Sequence, residues 1–241
     1  MIKKIITLFL FCISFSLTGF AQDALNEAEE LFRAGKFANA LAVYENELKN
    51  HTGNPYIYYN IGNCYFKMGS IGLAVANYYR AFKLNPRDAD IRHNLDLALR
   101  AGGTQLVPAG IPHALHKVFF YFSYEELQGL TYALFWLCCV SIGLWLVIRK
   151  GKYIALTCTC VAVLSAGWLF WRESLENENL AVIAAPIAEV RSGPGDNFPP
   201  SANIAQGHLV IVEDEKDNWY EVIIKAQGLK GWVAKDAIKT I

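Results

Sequence analysis

The sequence predicts a multidomain chain in three parts: an all-α module of helical repeats, a two-helix transmembrane hairpin and a small all-β barrel. Three observations carry that prediction. Residues of similar size recur at a spacing of 34 between Ala21 and Asp88. Two uncharged apolar runs, Leu130 to Ile148 and Tyr153 to Trp171, are each 19 residues long and are separated only by Arg149, Lys150, Gly151 and Lys152. From Leu180 the texture changes to short alternating apolar segments, Ala181 to Ala184, Ala188 to Arg191, Leu209 to Val212, Trp219 to Ile224 and Gly231 to Val233, broken by Gly, Pro, Asn and Asp, the pattern of a small antiparallel β-barrel.

Composition agrees. With 54% hydrophobic residues in 241, the chain is too apolar for one soluble domain, yet it leaves enough outside the spans for two small modules. The formal net charge of zero is unevenly spread: residues 22–104 carry nine basic and nine acidic groups, residues 172–241 seven basic and eleven acidic, a net of −4. No basic patch invites nucleic acid.

The N-terminus reads as a signal peptide over residues 1–21. Met1 to Lys4 is basic, Ile5 to Phe20 is apolar, and Gly19-Phe20-Ala21 offers small residues at the positions a signal peptidase inspects, which would leave Gln22 first. Of the six cysteines, Cys12 falls in this segment, Cys138, Cys139, Cys158 and Cys160 fall in the spans, and only Cys64 lies in a soluble module, so no structural disulfide is expected.

The repeat module is assigned to residues 22–104. Leu31 and Tyr65, Gly35 and Gly69, Phe37 and Ile71, Ala40 and Ala74, Tyr44 and Tyr78, and Leu48 and Phe82 stand one period apart. Small residues such as Gly62 and Ala74 suit the close approach of two helices, Tyr65 and Tyr78 fill the gaps, and Gly69 suits the turn. The pattern resembles the tetratricopeptide repeat, or TPR. Its second copy, Pro55 to Asp88, matches nearly throughout, at Tyr58, Ile61-Gly62, Tyr65, Gly69, Ala74, Tyr78, Ala81 and Pro86, while the first has Glu47 and Thr52 where alanine and proline are usual. A further helix, Ala89 to Ala101, carries Ile91, Leu95, Ala98 and Leu99 at helical spacing and is expected to cap the stack, so that a fragment ending at Gly102 would fold and one ending at Asp88 would not. The resemblance implies an inner groove for a protein partner, lined by Phe32, Arg33, Tyr56, Tyr59, Asn63, Phe66 and Lys67 among others. Leu25 and Glu29 replace the lysine and asparagine of chaperone-type carboxylate clamps, which argues against that binding mode.

Residues 105–122 read as a linker, broken by Pro108, Gly110 and Pro112 and ending in aromatics: Phe119, Phe120, Tyr121 and Tyr124 suit a membrane interface. His113 and His116 share a spacing that two metal ligands could use, but no further ligand is near in sequence, so no metal or cofactor is predicted. Ser123 followed by Glu126 is a capping box that opens the first span, assigned to residues 123–148. At 1.5 Å per residue, 19 residues make about 28 Å, close to the hydrocarbon thickness of a bilayer. A buried soluble hairpin is the alternative, though runs of this length without a charge are uncommon there. Arg149, Lys150 and Lys152 place the loop, 149–152, on the cytoplasmic side by the positive-inside rule. Both flanking modules then lie across the inner membrane, on its periplasmic side. The second span covers residues 153–171, and small residues every fourth position, Cys158, Ala162 and Ala166 opposite Cys139 and Gly143, suggest where the helices meet.

After a linker at 172–179, residues 180–241 form the β-domain. Val190-Arg191-Ser192-Gly193-Pro194-Gly195, Gly207, Trp219-Tyr220-Glu221-Val222 and Gly231-Trp232-Val233 together resemble bacterial SH3-like domains. That resemblance implies a groove bordered by Trp219, Tyr220 and Trp232, or else tryptophans packed inside. Core packing of at least one tryptophan is the expectation, since a barrel this small needs large apolar groups.

No hydrolase, phosphate-loop, metalloprotease or complete dinucleotide motif is present, so no enzyme is predicted. The order of signal segment, TPR pair, hairpin and SH3-like domain resembles the TPR-containing proteins of Bat aerotolerance operons along essentially the whole chain. The resemblance implies a periplasm-facing membrane scaffold that works with von Willebrand factor A-domain membrane proteins. The alternative is a cell-wall sensor whose SH3-like domain binds peptidoglycan peptides.

Overall fold

The computed structural model describes residues 23–108, 110–149, 151–225 and 227–241; the expected signal segment with Cys12, Gln22 and the loop residue Lys150 lie outside them. The chain folds into paired helices, a long helical hairpin and an antiparallel sheet. The first pair is α1, residues 23–33, and α2, Phe37–Leu48. The second is α3, Pro55–Lys67, and α4, Ile71–Leu84, followed by the single helix α5, Ala89–Ala101.

The packing logic of the repeats holds. A Cβ on Gly62 would lie 2.6 Å from the Tyr78 ring, so glycine there is what lets α3 and α4 close on each other. Ala74 is fully buried between them. Gly35 and Gly69 turn each pair at φ +75° and +78°, a conformation that costs a residue with a Cβ about 1–2 kcal/mol. The cap is also as expected: Ile91, Leu95, Ala98 and Leu99 are buried in one cluster with Ala74, Tyr78, Ala81 and Phe82. Its start is fixed by Asp88, whose carboxylate accepts from the backbone of Asp90 and Ile91.

Helix α4 has a second cover that the periodicity did not announce. Val182 of the β-domain belongs to the same buried cluster, with Leu209 and Ile241 packed against it. Arg80 donates to the Thr240 carbonyl at 2.6 Å, and Gln206 donates to the Gly69 carbonyl at 3.2 Å. The two modules are therefore packed side by side rather than strung apart.

Between the modules lies α6, His113–Phe119, inside the stretch expected to be a linker. The hairpin follows as α7, Tyr124–Ile148, and α8, Lys152–Glu176, both long and apolar enough to cross a membrane. Ser123 and Glu126 form the capping box reciprocally, at 3.2 Å and 3.0 Å. Arg149 and Gly151, both left-handed, turn the hairpin. Helix α8 runs past Trp171 through residues placed in a linker by composition. The contact line also differs from the small-residue stripe. Cys138, not Cys139, is buried and sits 3.4 Å from Thr159, while Gly143 has open space around it. The α7 seam thus follows Thr131 and Cys138, one helical position away from the stripe, whereas on α8 Cys158 and Ala162 of the stripe are half-buried beside buried Ala155 and Ser165. The five described cysteines are free.

The sheet comprises β1 (Leu180–Ile183), β2 (Ile187–Arg191), β3 (Pro200–Ala205), β4 (Leu209–Lys216), β5 (Trp219–Ile224), β6 (Leu229–Ala234) and β7 (Ile238–Thr240). Their order is β3-β2-β6-β5-β4-β1-β7, with antiparallel pairing throughout. All seven strands feed one aliphatic core, including Val190, Ile204, Val210, Val222, Ile224 and Val233.

Candidate functional site

The helical-repeat groove is built on α3. Asn54 caps it, accepting from the Tyr56 backbone at 2.9 Å, and Pro55 opens it with a preset φ. This holds Tyr56 on the first turn with 53% of its surface open. One and two turns on, Tyr59 and Asn63 meet the cap helix. The Asn63 carboxamide oxygen accepts from the Tyr78 hydroxyl at 2.7 Å and from Asn94 Nδ2 at 3.0 Å, and Asn94 also donates to the Tyr59 oxygen at 2.9 Å. The Tyr59 and Tyr78 rings lie 5.8 Å apart. Burial raises the pKa of both phenols, so they stay protonated.

The predicted groove set therefore divides. Tyr59 and Asn63 fasten α3 to α4 and α5. Phe66 packs on the second repeat's core and Phe32 on the first, edge-on to Phe37 at 5.2 Å. Arg33, Tyr56 and Lys67 remain exposed, Arg33 paired with Glu29 on the same helix. The part Asn94 plays in the polar cluster was not visible in the sequence, since it depends on three helices converging. Cys64 is buried and its thiol is pushed up to about 11, so it is no nucleophile.

In the β-domain the structure corrects the expectation that a tryptophan fills the core. Trp219 and Trp232 are both half-buried outside it. Strand alternation decides this: Val222 and Ile224 of β5 and Val233 of β6 point inward, so Trp219, Glu221 and Trp232 point out. Cross-strand register sets Arg191 opposite Trp232 and Trp232 opposite Glu221. Tyr220 faces the other way, onto the core, with Lys235 over its ring at 5.2 Å. The implied trio is thus not one surface, and the aromatic pair belongs with Arg191 instead.

Arg191 organises the β2–β3 loop. It donates to the carbonyls of Asp196 and Phe198, each at 2.8 Å, pairs with Glu189 at 2.6 Å, and lies over Trp219 at 5.8 Å. A depression of about 330 Å³ opens there, lined by Arg191, Trp219, Glu189, Asp196 and Asp236. The glycine of the loop motif has its reason in Phe198, whose ring would lie 2.5 Å from a Cβ on Gly193.

A larger cleft, about 920 Å³, lies where the two modules meet. Leu180, Leu209, Ile211 and Ile223 form one apolar wall, and Thr104, Gln105 and Pro108 after the cap helix form the other. At its rim stand Arg100, paired with Asp96 at 2.7 Å, and Lys225, paired with Glu178 at 2.8 Å. Nothing in the sequence brings Arg100 near Lys225.

His113 and His116 do not share an arrangement for a metal. His116 is buried, and its Nδ1 accepts from Arg92 at 3.1 Å while its ring lies 4.6 Å from Phe120. Burial, with the Arg92 charge beside it, lowers its pKa to about 4, so it is neutral at physiological pH.

Comparison with known proteins gives two family matches. Residues 55–88 match the Tetratricopeptide repeat, the same bounds the periodicity gives for the second copy, and residues 188–239 match the Bacterial SH3 domain. No curated protein matches the chain. Similar solved structures include the TPR2AB-domain:pHSP90 complex of yeast Sti1, at 20% identity over 45% of this chain and 36% of that one, with a TM-score of 0.33. They also include the type III secretion translocator chaperone SycD of Yersinia enterocolitica, at 13% identity over 65% and 94% with a TM-score of 0.34. Yeast Tom70 is a third, at 16% identity over 76% and 31%, with a TM-score of 0.33. The chain spans about a third of the Sti1 and Tom70 chains.

Proposed function

We propose that this chain is a membrane-anchored scaffold that gathers protein partners on the periplasmic side of the inner membrane. The observation that carries the reading is the exposure of Tyr56 and Lys67 at the two ends of α3, whose Tyr59 and Asn63 between them are fastened to the cap helix. Tyr56 and Lys67 stand on one face of α3 at its two ends, about 16 Å apart at 1.5 Å per residue, an aromatic and a cation that suit an extended partner segment of apolar and acidic character. Following the resemblance of the whole chain to the Bat operon proteins, the partners we favour are von Willebrand factor A-domain membrane proteins, with a role in aerotolerance.

Cross-linking in native membranes, with identification of the neighbours, tests this. Replacing Tyr56 and Lys67 together with alanine is expected to weaken partner capture about tenfold, the scale of one interface anchor, and to leave helix content unchanged. Tyr59 is a poorer choice, because losing it also loosens the cap. Capture that is unchanged in the double variant ends the groove assignment.

The outward Trp219 and Trp232 beside Arg191 favour a second reading, a sensor of peptidoglycan peptides. Purified sacculi separate the two: only the sensor demands retention that falls when Trp219 and Trp232 are both replaced by alanine. The topology is tested independently. In a cysteine-free background, Lys150→Cys is expected to react with an impermeant thiol reagent only from the cytoplasmic side, and Lys49→Cys and Lys216→Cys only from the other. Labelling of all three from one side rules out the hairpin as a membrane crossing.

A further inference from the structure

Helix α6 has two unlike sides. On one, His116 meets Arg92, and Phe120, just past the helix end, meets Phe82 of α4 at 5.7 Å. Phe119 on the same side lies 5.4 Å from Trp171 of α8, and its carbonyl accepts from Trp168 Nε1 at 3.2 Å. Phe119 and Phe120, which composition suggested as interface anchors, are therefore half-buried between the repeats and the hairpin, because Arg172 draws them in: its guanidinium lies 5.8 Å and 4.6 Å from their rings.

The other side is apolar and open. Leu115 is 60% exposed and Val118 62%, and Ile111 before the helix is exposed too. Water is a poor environment for Leu115 and Val118, and nothing among the described residues covers them. Their position says what does. α6 abuts the end of α8 at Trp168 and Trp171, and the next exposed side chains along α8 are Phe170 and Trp171, at 75% and 64%. The open face of α6 is continuous with the belt of the spans that faces lipid. Lys117 and His113 are its polar neighbours, and Arg87 closes the far end, over Tyr121 at 5.6 Å and paired with Glu126 at 2.7 Å.

We propose that α6 lies in the plane of the bilayer interface, with Leu115 and Val118 immersed at the level where headgroups meet acyl chains. Its inner side then serves as the shelf on which the repeats rest, so the groove is held at a set height above the lipid. The inference rests on the reading of α7 and α8 as membrane spans.

The test uses the full chain, cysteine-free except at one site, reconstituted in phosphatidylcholine–phosphatidylglycerol vesicles. An environment-sensitive nitrobenzoxadiazole label is placed at Leu115→Cys, at Val118→Cys, at Leu164→Cys in mid-span and at Lys49→Cys on the repeats. Lipids carrying a nitroxide either near the headgroup or deep in the acyl chain act as quenchers. At Leu115 and Val118 the shallow nitroxide is expected to quench about twofold more than the deep one, as for a helix buried ~5–10 Å into the boundary. Leu164 should show the reverse preference and Lys49 no quenching. If Leu164 is quenched and Leu115 and Val118 are not, the shelf is wrong while the spans stand. A blue-shifted but unquenched label at Leu115 means that protein covers the face, and also overturns the proposal. If Leu164 itself is unquenched, the spans fail and the shelf with them.

Discussion

Replacing Gly72 with alanine is expected to undock the β-domain from the helical repeats. A Cβ at this position would lie 2.1 Å from the Ile183 carbonyl oxygen and 2.8 Å from the Ala184 Cα. Both are backbone atoms of β1 and the turn after it, so no rotamer change relieves the clash. Alanine for a helical glycine is ordinarily a gain of about 0.5–1 kcal/mol. Here the sign reverses, with an overpacking cost of about 3 kcal/mol. Separation would also expose the face of α4 that Val182, Leu209 and Ile241 cover, and break the Arg80–Thr240 and Gln206–Gly69 hydrogen bonds. A lower melting temperature and faster proteolysis at residues 177–180 are the measurements. Gly129→Ala, where a Cβ meets nothing within 4 Å, is the control and should not destabilise. An unchanged melting temperature for Gly72→Ala would show the docking to be dispensable. The same geometry bears on the capping argument. α5 covers one side of α4, but a fragment of residues 23–102 keeps the other side bare, and it should melt below the repeats of the whole chain.

Arg172→Ala should release α6 from the hairpin. The Arg172 side chain is 2% exposed and donates from Nη1 to the carbonyls of Phe122 at 3.1 Å and Phe119 at 3.4 Å. It also lies 3.5 Å from Glu176, which in turn pairs with Lys83 of α4 at 2.6 Å. One side chain thus joins α8, α6 and, through Glu176, the repeats. Its Nε has no hydrogen-bond partner among the described residues, a desolvation cost the site already bears. Truncation removes the Arg172 donor from the Phe122 carbonyl, leaves the Phe119 carbonyl with Trp168 Nε1 alone, opens a cavity under the Phe120 ring and leaves Glu176 with one cation instead of two. The expected loss is about 3–5 kcal/mol. A seven-residue helix does not hold without tertiary support, so amide exchange in α6 should accelerate about a hundredfold or more. Lysine should restore little, because a single ammonium does not reach two carbonyls and a carboxylate as the guanidinium fork does. Unchanged protection of α6 in Arg172→Ala would assign its stability elsewhere.

Much of this architecture was legible in the residues. The second repeat, the apolar face of α5 and the capping box at Ser123 that opens a long apolar helix came out where the local pattern put them, because each depends on residues within one or two turns. The missed elements share a reason. β3 opens on Pro200 and buries little besides Ile204, as an edge strand does, and β7 is three residues long. Neither carries enough alternation to stand out. α6 was hidden by the Gly110 and Pro112 before it. Trp219 and Trp232 were misplaced by weighing their size, whereas their position in the alternation of β5 and β6 put them outside.

For the candidate site, the sequence by itself determined the 34-residue period that puts Tyr56, Tyr59, Asn63, Phe66 and Lys67 on one helix, and that this helix lines a groove is what the resemblance to the tetratricopeptide repeat implies. Only the tertiary structure decided that Tyr59 and Asn63 are fasteners while Tyr56 and Lys67 are free. It also decided that Arg191, not Tyr220, keeps company with the tryptophans. The cleft between the two modules and the Arg172 junction are of the same kind, joining residues roughly 50 to 120 apart in the chain. Periodicity and charge are properties of neighbours in sequence and survive in any chain that bears them. Which surfaces meet depends on whether two backbones can approach, and here that was settled by glycines, Gly72 against Ile183 and Gly102 against Gly207, that leave no side chain in the way.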